Sequence, residues 1–235
     1  MTVFRRRNRK QDDTEVTAVA EDSVAGEDAP TEPAAGDHGP WDADTAPADE
    51  VDRIDLGALL VPTPEGTELR LEADDAGEIT TVLLVGSDSA LQLGVFAAPR
   101  NEGIWDEVRG EIAAGIQAEG GSARDVEGHH GTELHAELSA PEGRQRVRFV
   151  GYDGPRWFVR GVFTGAAGVD EGAAGLLTDA LRGVVVVRGG DPMPVRDPLP
   201  LRLPREVVES QQAAAEEEQR KLTLPERGPE ITELR

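Results

Sequence analysis

Residues 144–163 hold the firmest structural instruction in the chain, because two β-rich stretches meet at an Asp153-Gly154-Pro155 breaker as the arms of a β-hairpin would. Alternation along the first arm puts Val147 and Phe149 on one side and Arg144, Arg146 and Arg148 on the other. If the connecting loop has an odd number of residues, Arg160 of the second arm joins those arginines, and Val147, Phe149, Trp157, Val159 and Phe163 gather together inside. The hydrophobic pattern favours that register. An arginine ladder of Arg144, Arg146, Arg148 and Arg160 is therefore expected.

The rest of the pattern places the hairpin in an α+β fold. Ile54–Val61 reads as a short strand ended by Pro62 and Pro64, and Thr67–Glu72 alternates with Leu69 and Leu71 on one face. Ile79–Val85 is β-branched and continuous, and Leu91, Leu93 and Val95 alternate up to Pro99. Asn101 then reads as an N-cap. Ile104, Trp105, Val108, Ile112 and Ile116 recur at helical spacing until Gly120-Gly121, which places Trp105 in the core. Arg124–Glu127 and Thr132–Leu138 form a further hairpin across Gly128–Gly131. Leu176, Leu177, Ala180 and Leu181 mark a second, shorter helix before the four valines 184–187. The order ββββ-α-ββββ-α-β lacks regular βαβ alternation, so a mainly antiparallel sheet with two packed helices follows.

Composition divides the 235 residues into three parts. Residues 11 to 50 carry thirteen acids, no Lys or Arg, and Trp41 as their single large apolar residue, too little to offset chain entropy. Residues 1–50 are accordingly expected to be a disordered basic start and acidic linker, 51–204 a single α+β domain, and 205–235 a helix-prone, largely disordered tail. The net charge of −22 argues against general binding to nucleic acid or anionic membranes. Arg5, Arg6, Arg7, Arg9 and Lys10 are the exception, a weak electrostatic tether at most, since Phe4 is their only aromatic neighbour. The absence of cysteine excludes disulfides and thiolate metal sites and suits a cytoplasmic setting. No apolar h-region follows the basic start and no stretch is long enough to span a bilayer.

Two constellations have the residue types for chemistry. Glu133, His135 and Glu137 share one strand face, with His129 and His130 in the turn before it, and two carboxylates with an imidazole at this spacing can converge on a divalent metal. The plainer alternative is the wet face of a strand whose other side is Leu134, Ala136 and Leu138. The arginines offer guanidinium forks for a phosphate, a carboxylate or an acidic peptide; the plainer alternative is cross-strand pairing with Glu133 and Glu137. No nucleophile elbow, phosphate-binding glycine loop or cysteine cluster accompanies either set, and no cofactor is implied.

Several stretches resemble an uncharacterised actinobacterial domain-of-unknown-function family: Val51–Gly57, the Gly-Ile-Trp-Asp-Glu-Val-Arg-Gly-Glu-Ile run of 103–112, the Gly-Tyr-Asp-Gly-Pro-Arg-Trp run of 151–157, and Val187–Pro194 continuing to Leu199-Pro200-Leu201. Gly39-Pro40-Trp41-Asp42 in the acidic linker also fits that layout, and the preference for Arg over Lys suits a high-GC source. The resemblance implies no activity and carries over no functional residue. The element order is separately similar to the α/β/α sandwich of the Mog1/PsbP type, whose members mostly bind other proteins, a fold-level analogy only. The expectation for function is a cytoplasmic, non-enzymatic adaptor with an unknown protein partner. Its alternative is a small-ligand-binding protein or metal-dependent enzyme built on Glu133, His135, Glu137 and the arginines.

Overall fold

The computed structural model describes residues 39–140 and 143–204. The basic start, most of the acidic linker and the tail from 205 lie outside the described residues. Eleven strands and two α-helices are present among the described residues. Six strands come first: β1 (Trp41–Asp42), β2 (Arg53–Asp55), β3 (Leu59–Pro62), β4 (Glu68–Ala73), β5 (Ile79–Val85) and β6 (Ser89–Ala97). Helix α1 (Trp105–Ala118) separates them from β7 (Ser122–Gly128), β8 (Gly131–Ala140), β9 (Gly143–Gly154) and β10 (Trp157–Gly165). Two 3-10 turns, Ala166–Gly168 and Glu171–Ala174, lead into α2 (Gly175–Gly183) and β11 (Val185–Val186).

Seven strands in the order β4-β5-β6-β10-β9-β8-β7 make one antiparallel sheet. A second sheet runs β1-β11-β3-β2, with β1 parallel to β11. One face of the large sheet carries α1, where Ile116 packs with Leu134, Ala136, Val147 and Val162, and Trp105 with Phe158. The other face is covered by the small sheet together with α2, so that Leu56, Leu59, Val61, Leu181 and Val186 share one core with Leu91, Leu93, Val95, Val159 and Phe163. Each such fully buried aliphatic or aromatic side chain contributes about 1.5–3 kcal/mol relative to exposure. The mainly antiparallel α+β fold with two packed helices is thus the one expected, with a second sheet beside α2.

Three local differences from the sequence reading have physical causes. The single strand expected over Ile54–Val61 is instead a hairpin, β2 paired with β3, because Gly57 turns the chain at φ 84, a conformation costly for any residue with a Cβ. Asn101 does not cap α1. Ile104 is the N-cap and has no side-chain cap bond of its own; Asp153, near the end of β9, accepts the Ile104 and Trp105 N–H groups at 2.7 and 3.3 Å. Trp41, assigned from the sequence to the acidic linker, stands in β1: its N–H donates to Val184 O at 2.8 Å, and Trp157 Nε1 donates to Asp42 at 2.7 Å.

The hairpin itself is present, but its loop is the two-residue Pro155-Arg156 with Arg156 at φ 65. An even loop sends Arg160 to the face opposite Arg148. Pairing of Gly151 with Arg160 and of Arg148 with Phe163 fixes this register. On the α1 face Gly151 is obligatory, since a Cβ there would lie 2.2 Å from the Trp105 ring.

Candidate functional site

Strands β7, β8 and β9 carry a charged stretch on the face of the large sheet opposite α1. Register puts Arg124 opposite His135 and His135 opposite Arg148, then Ser122 opposite Glu137 and Glu137 opposite Arg146, then Ser139 opposite Arg144. Directly opposed residues share a face in an antiparallel sheet. The structure therefore brings Glu133, His135, Glu137, Arg144, Arg146 and Arg148 together, and adds Arg124, which the sequence reading missed. The signal for Arg124 lay in the Gly128–Gly131 hairpin, whose pairing places it across from His135.

The outer part of this face is an open polar shelf. A cavity of about 370 Å³ is lined there by Ser122, Arg124, His135, Glu137 and Arg146, with Gly168 and Val169 forming one wall. Glu137 is held by Arg144 at 2.8 Å and Arg146 at 3.7 Å, and the Arg144 guanidinium beside it keeps its carboxyl below the usual range. Both arginines stay well exposed in spite of these contacts. Such pairs are worth under about 1 kcal/mol each, so an incoming anion can replace them.

The inner part is buried, against the expectation of a wet strand face. Glu133 has no exposed surface and Arg148 is 1 % exposed. The reason is the segment 166–174, which folds over β9; Gly168 approaches so closely that a Cβ would lie 2.6 Å from Arg146 O. Arg148 lies over the Phe163 ring, 4.9 Å from its centroid, with Glu133 at 3.6 Å and Glu171 at 3.8 Å. None of its three nitrogens has a hydrogen-bond partner among the described residues. Glu133 also lies 3.3 Å from His135 Nε2 and accepts the His130 N–H at 3.4 Å. His130 stacks on Phe163 on the same side and hydrogen-bonds through Nδ1 to the Tyr152 hydroxyl. Burial, with Arg182 and Arg148 nearby, pushes the His130 pKa down to about 4, and burial pushes Tyr152 up to about 12. Glu171 accepts from the His129 N–H at 2.8 Å and ties the covering segment to the β7–β8 turn.

Chemically the site divides into an exposed cationic shelf over a nearly self-neutralised buried base. Among the described residues no three His, Asp or Glu side chains converge with the geometry of a metal site. Glu133 is committed to Arg148, and Glu137 is drawn the other way, to Arg144 and Arg146. Among the described residues no hydroxyl is hydrogen-bonded to a histidine except that of Tyr152 to the buried His130. The expected four-arginine ladder is reduced to three, since Arg160 lies on the α1 face with its guanidinium 5.3 Å from the Phe96 ring. Trp105 is in the core as expected, its Nε1 donating to Thr132 O at 2.7 Å. The cluster Arg5, Arg6, Arg7, Arg9 and Lys10 lies outside the described residues. No helix among the described residues is long and apolar enough to cross a membrane. A family model described as a protein of unknown function, DUF3710, matches residues 39–210. No curated protein and no solved structure matches the chain.

Proposed function

Starting from the DUF3710 family of proteins of unknown function, to which this chain belongs, we propose a non-catalytic binding module that holds an acidic or phosphorylated segment of a partner protein on the β7–β9 shelf. One observation carries the reading. In a chain with a formal net charge of −22, Arg124 and Arg146 stand exposed on the lining of an open cavity of about 370 Å³, and Arg144 is exposed beside them, paired with the same Glu137 as Arg146. The acidic excess of the chain repels an acidic partner in general, and a local patch of arginines offsets that repulsion, so the contrast supplies orientation as well as attraction. Guanidinium forks match carboxylate and phosphate oxygens in pairs. The buried Glu133–Arg148 base beneath keeps the strand spacing fixed without adding charge at the surface. A cytoplasmic setting, with partners that carry phosphorylated or acidic segments, suits a chain without cysteine.

Fluorescence polarisation with a labelled poly-glutamate peptide and a poly-glutamine control tests the reading. Poly-glutamate binds at low salt, weakens steadily as salt is added, and is lost in the Arg124→Ser, Arg146→Ser double variant. Equal binding of the two peptides, or undiminished binding to the double variant, overturns it.

A further inference from the structure

The face of the large sheet away from the shelf holds a different kind of opening. Between α1 and the β6–β10 pair lies a cleft of about 210 Å³ lined by Phe96, Ile104, Val108, Ile112 and Phe158. Its floor is apolar except for Arg160, whose guanidinium lies over Phe96. Arg160 makes no ion pair among the described residues, and its Nε is buried with no hydrogen-bond partner there. Burial already works against the charge, lowering the pKa of this guanidinium from its ordinary value. The obvious counter-charges are taken: Glu107 and Glu111 of α1 are held at the rim by Arg196, at 2.8 and 3.1 Å.

We propose that this cleft is a second binding site, for a small organic acid: a monocarboxylate with a compact apolar body whose carboxylate meets Arg160. A half-buried guanidinium with its Nε enclosed and no counter-charge favours an anionic partner at its open end, where the apolar lining lowers the local dielectric. The lining selects among anions. A phosphate dianion would leave one charge unmatched beside Glu111, whereas a carboxylate matches a single guanidinium in charge and in its two parallel acceptors. The volume sets the size, since drug-sized ligands occupy about 300–1,000 Å³ and this cleft is smaller. The body that fits is therefore a short branched chain or a single ring. The site shares no residue with the shelf, so either can fail without the other.

The test compares 4-methylpentanoate with its neutral amide, 4-methylpentanamide, titrated into the full chain and followed by methyl NMR. The acid is expected to shift the methyl resonances of Ile104, Val108 and Ile112 and to bind at least about tenfold more tightly than the amide, the preference of a charge-assisted pair. Arg160→Met removes the preference, while the Arg124→Ser, Arg146→Ser variant keeps it. Acid and amide binding equally, neither shifting those methyls, or the preference surviving Arg160→Met would each overturn the proposal. The acid–amide comparison on the unaltered chain decides the matter even if Arg160→Met fails to fold.

Discussion

Replacing Glu133 with leucine removes one carboxylate of similar volume from beneath Arg148 and leaves the guanidinium buried. At 3.6 Å and an effective dielectric near 20, the lost attraction is roughly 4–5 kcal/mol before compensation. Part survives, because Glu171 remains 3.8 Å from Arg148 and is itself about one-third exposed. A net cost of about 3 kcal/mol follows, at the lower end of the range for stripping one partner from a buried pair. For a domain of this size that corresponds to a fall in melting temperature of about 6–12 °C. Arg148→Met should cost at least as much, since Glu133 has no exposed surface on which to be solvated. The double variant Glu133→Leu, Arg148→Met, by contrast, should recover most of the loss, as an apolar pair on Phe163 carries no stranded charge. Urea unfolding of the four proteins measures the coupling through the midpoint and slope. Single changes costing under about 1 kcal/mol, or losses that simply add, would refute the argument that this pair is the fixed base of the shelf.

Asp153→Ala strips the acceptor from the first N–H groups of α1 and should cost about 1–2 kcal/mol, with faster hydrogen exchange at Ile104 and Trp105. Because the folded His130 pKa lies near 4, below its ordinary 6.5, the unfolded chain binds more protons in that window. Stability is thus complete above pH 6.5 and is lost as pH falls towards 4, by up to about 3 kcal/mol, an upper bound since the ring is not wholly shielded. His130→Gln should flatten that slope in urea midpoints taken across the window. Limited proteolysis should leave a fragment that retains Trp41, and a chain begun at Val51 should melt below one begun at Gly39, because the latter alone keeps the β1–β11 pairing and the Trp157–Asp42 bond.

Legibility from the sequence followed the strength of the local pattern. β5 and β6 were readable because seven and nine residues alternate or run unbroken between turn residues, and α1 because five apolar residues recur on one stripe. The register of β9 with β10 was not, since it hangs on Arg156 taking a positive φ, which a non-glycine residue does only when tertiary contacts over-determine it. Burial of Glu133 and Arg148 was hidden for a different reason. The segment covering them, 166–174, is short, rich in Ala and Gly and without periodicity, so nothing in it announces what it lies upon. Asp153 looked like a turn residue, and its second role at α1 is a contact between elements 48 residues or more apart. The face shared by the two charged sets was recoverable, as parity alone puts His135 with Arg148 once one pairing is known.

The parallel pairing of β1 with β11 also sets an order of events for a chain emerging from a ribosome. All partners of β4 to β10 in the large sheet lie between residues 68 and 165, mostly in neighbouring hairpins, so that sheet can assemble while the C-terminal segment is still being made. The first strand described must wait for the last. Until β11 arrives, the apolar face formed by Leu91, Leu93, Val95 and Val159 lacks part of its cover, and the molecule passes through a stage at which that surface is open to other chains. Pulse-labelled exchange should accordingly protect β6 and β10 before Trp41 and Ala43, whose amides have acceptors only in residues 184–186.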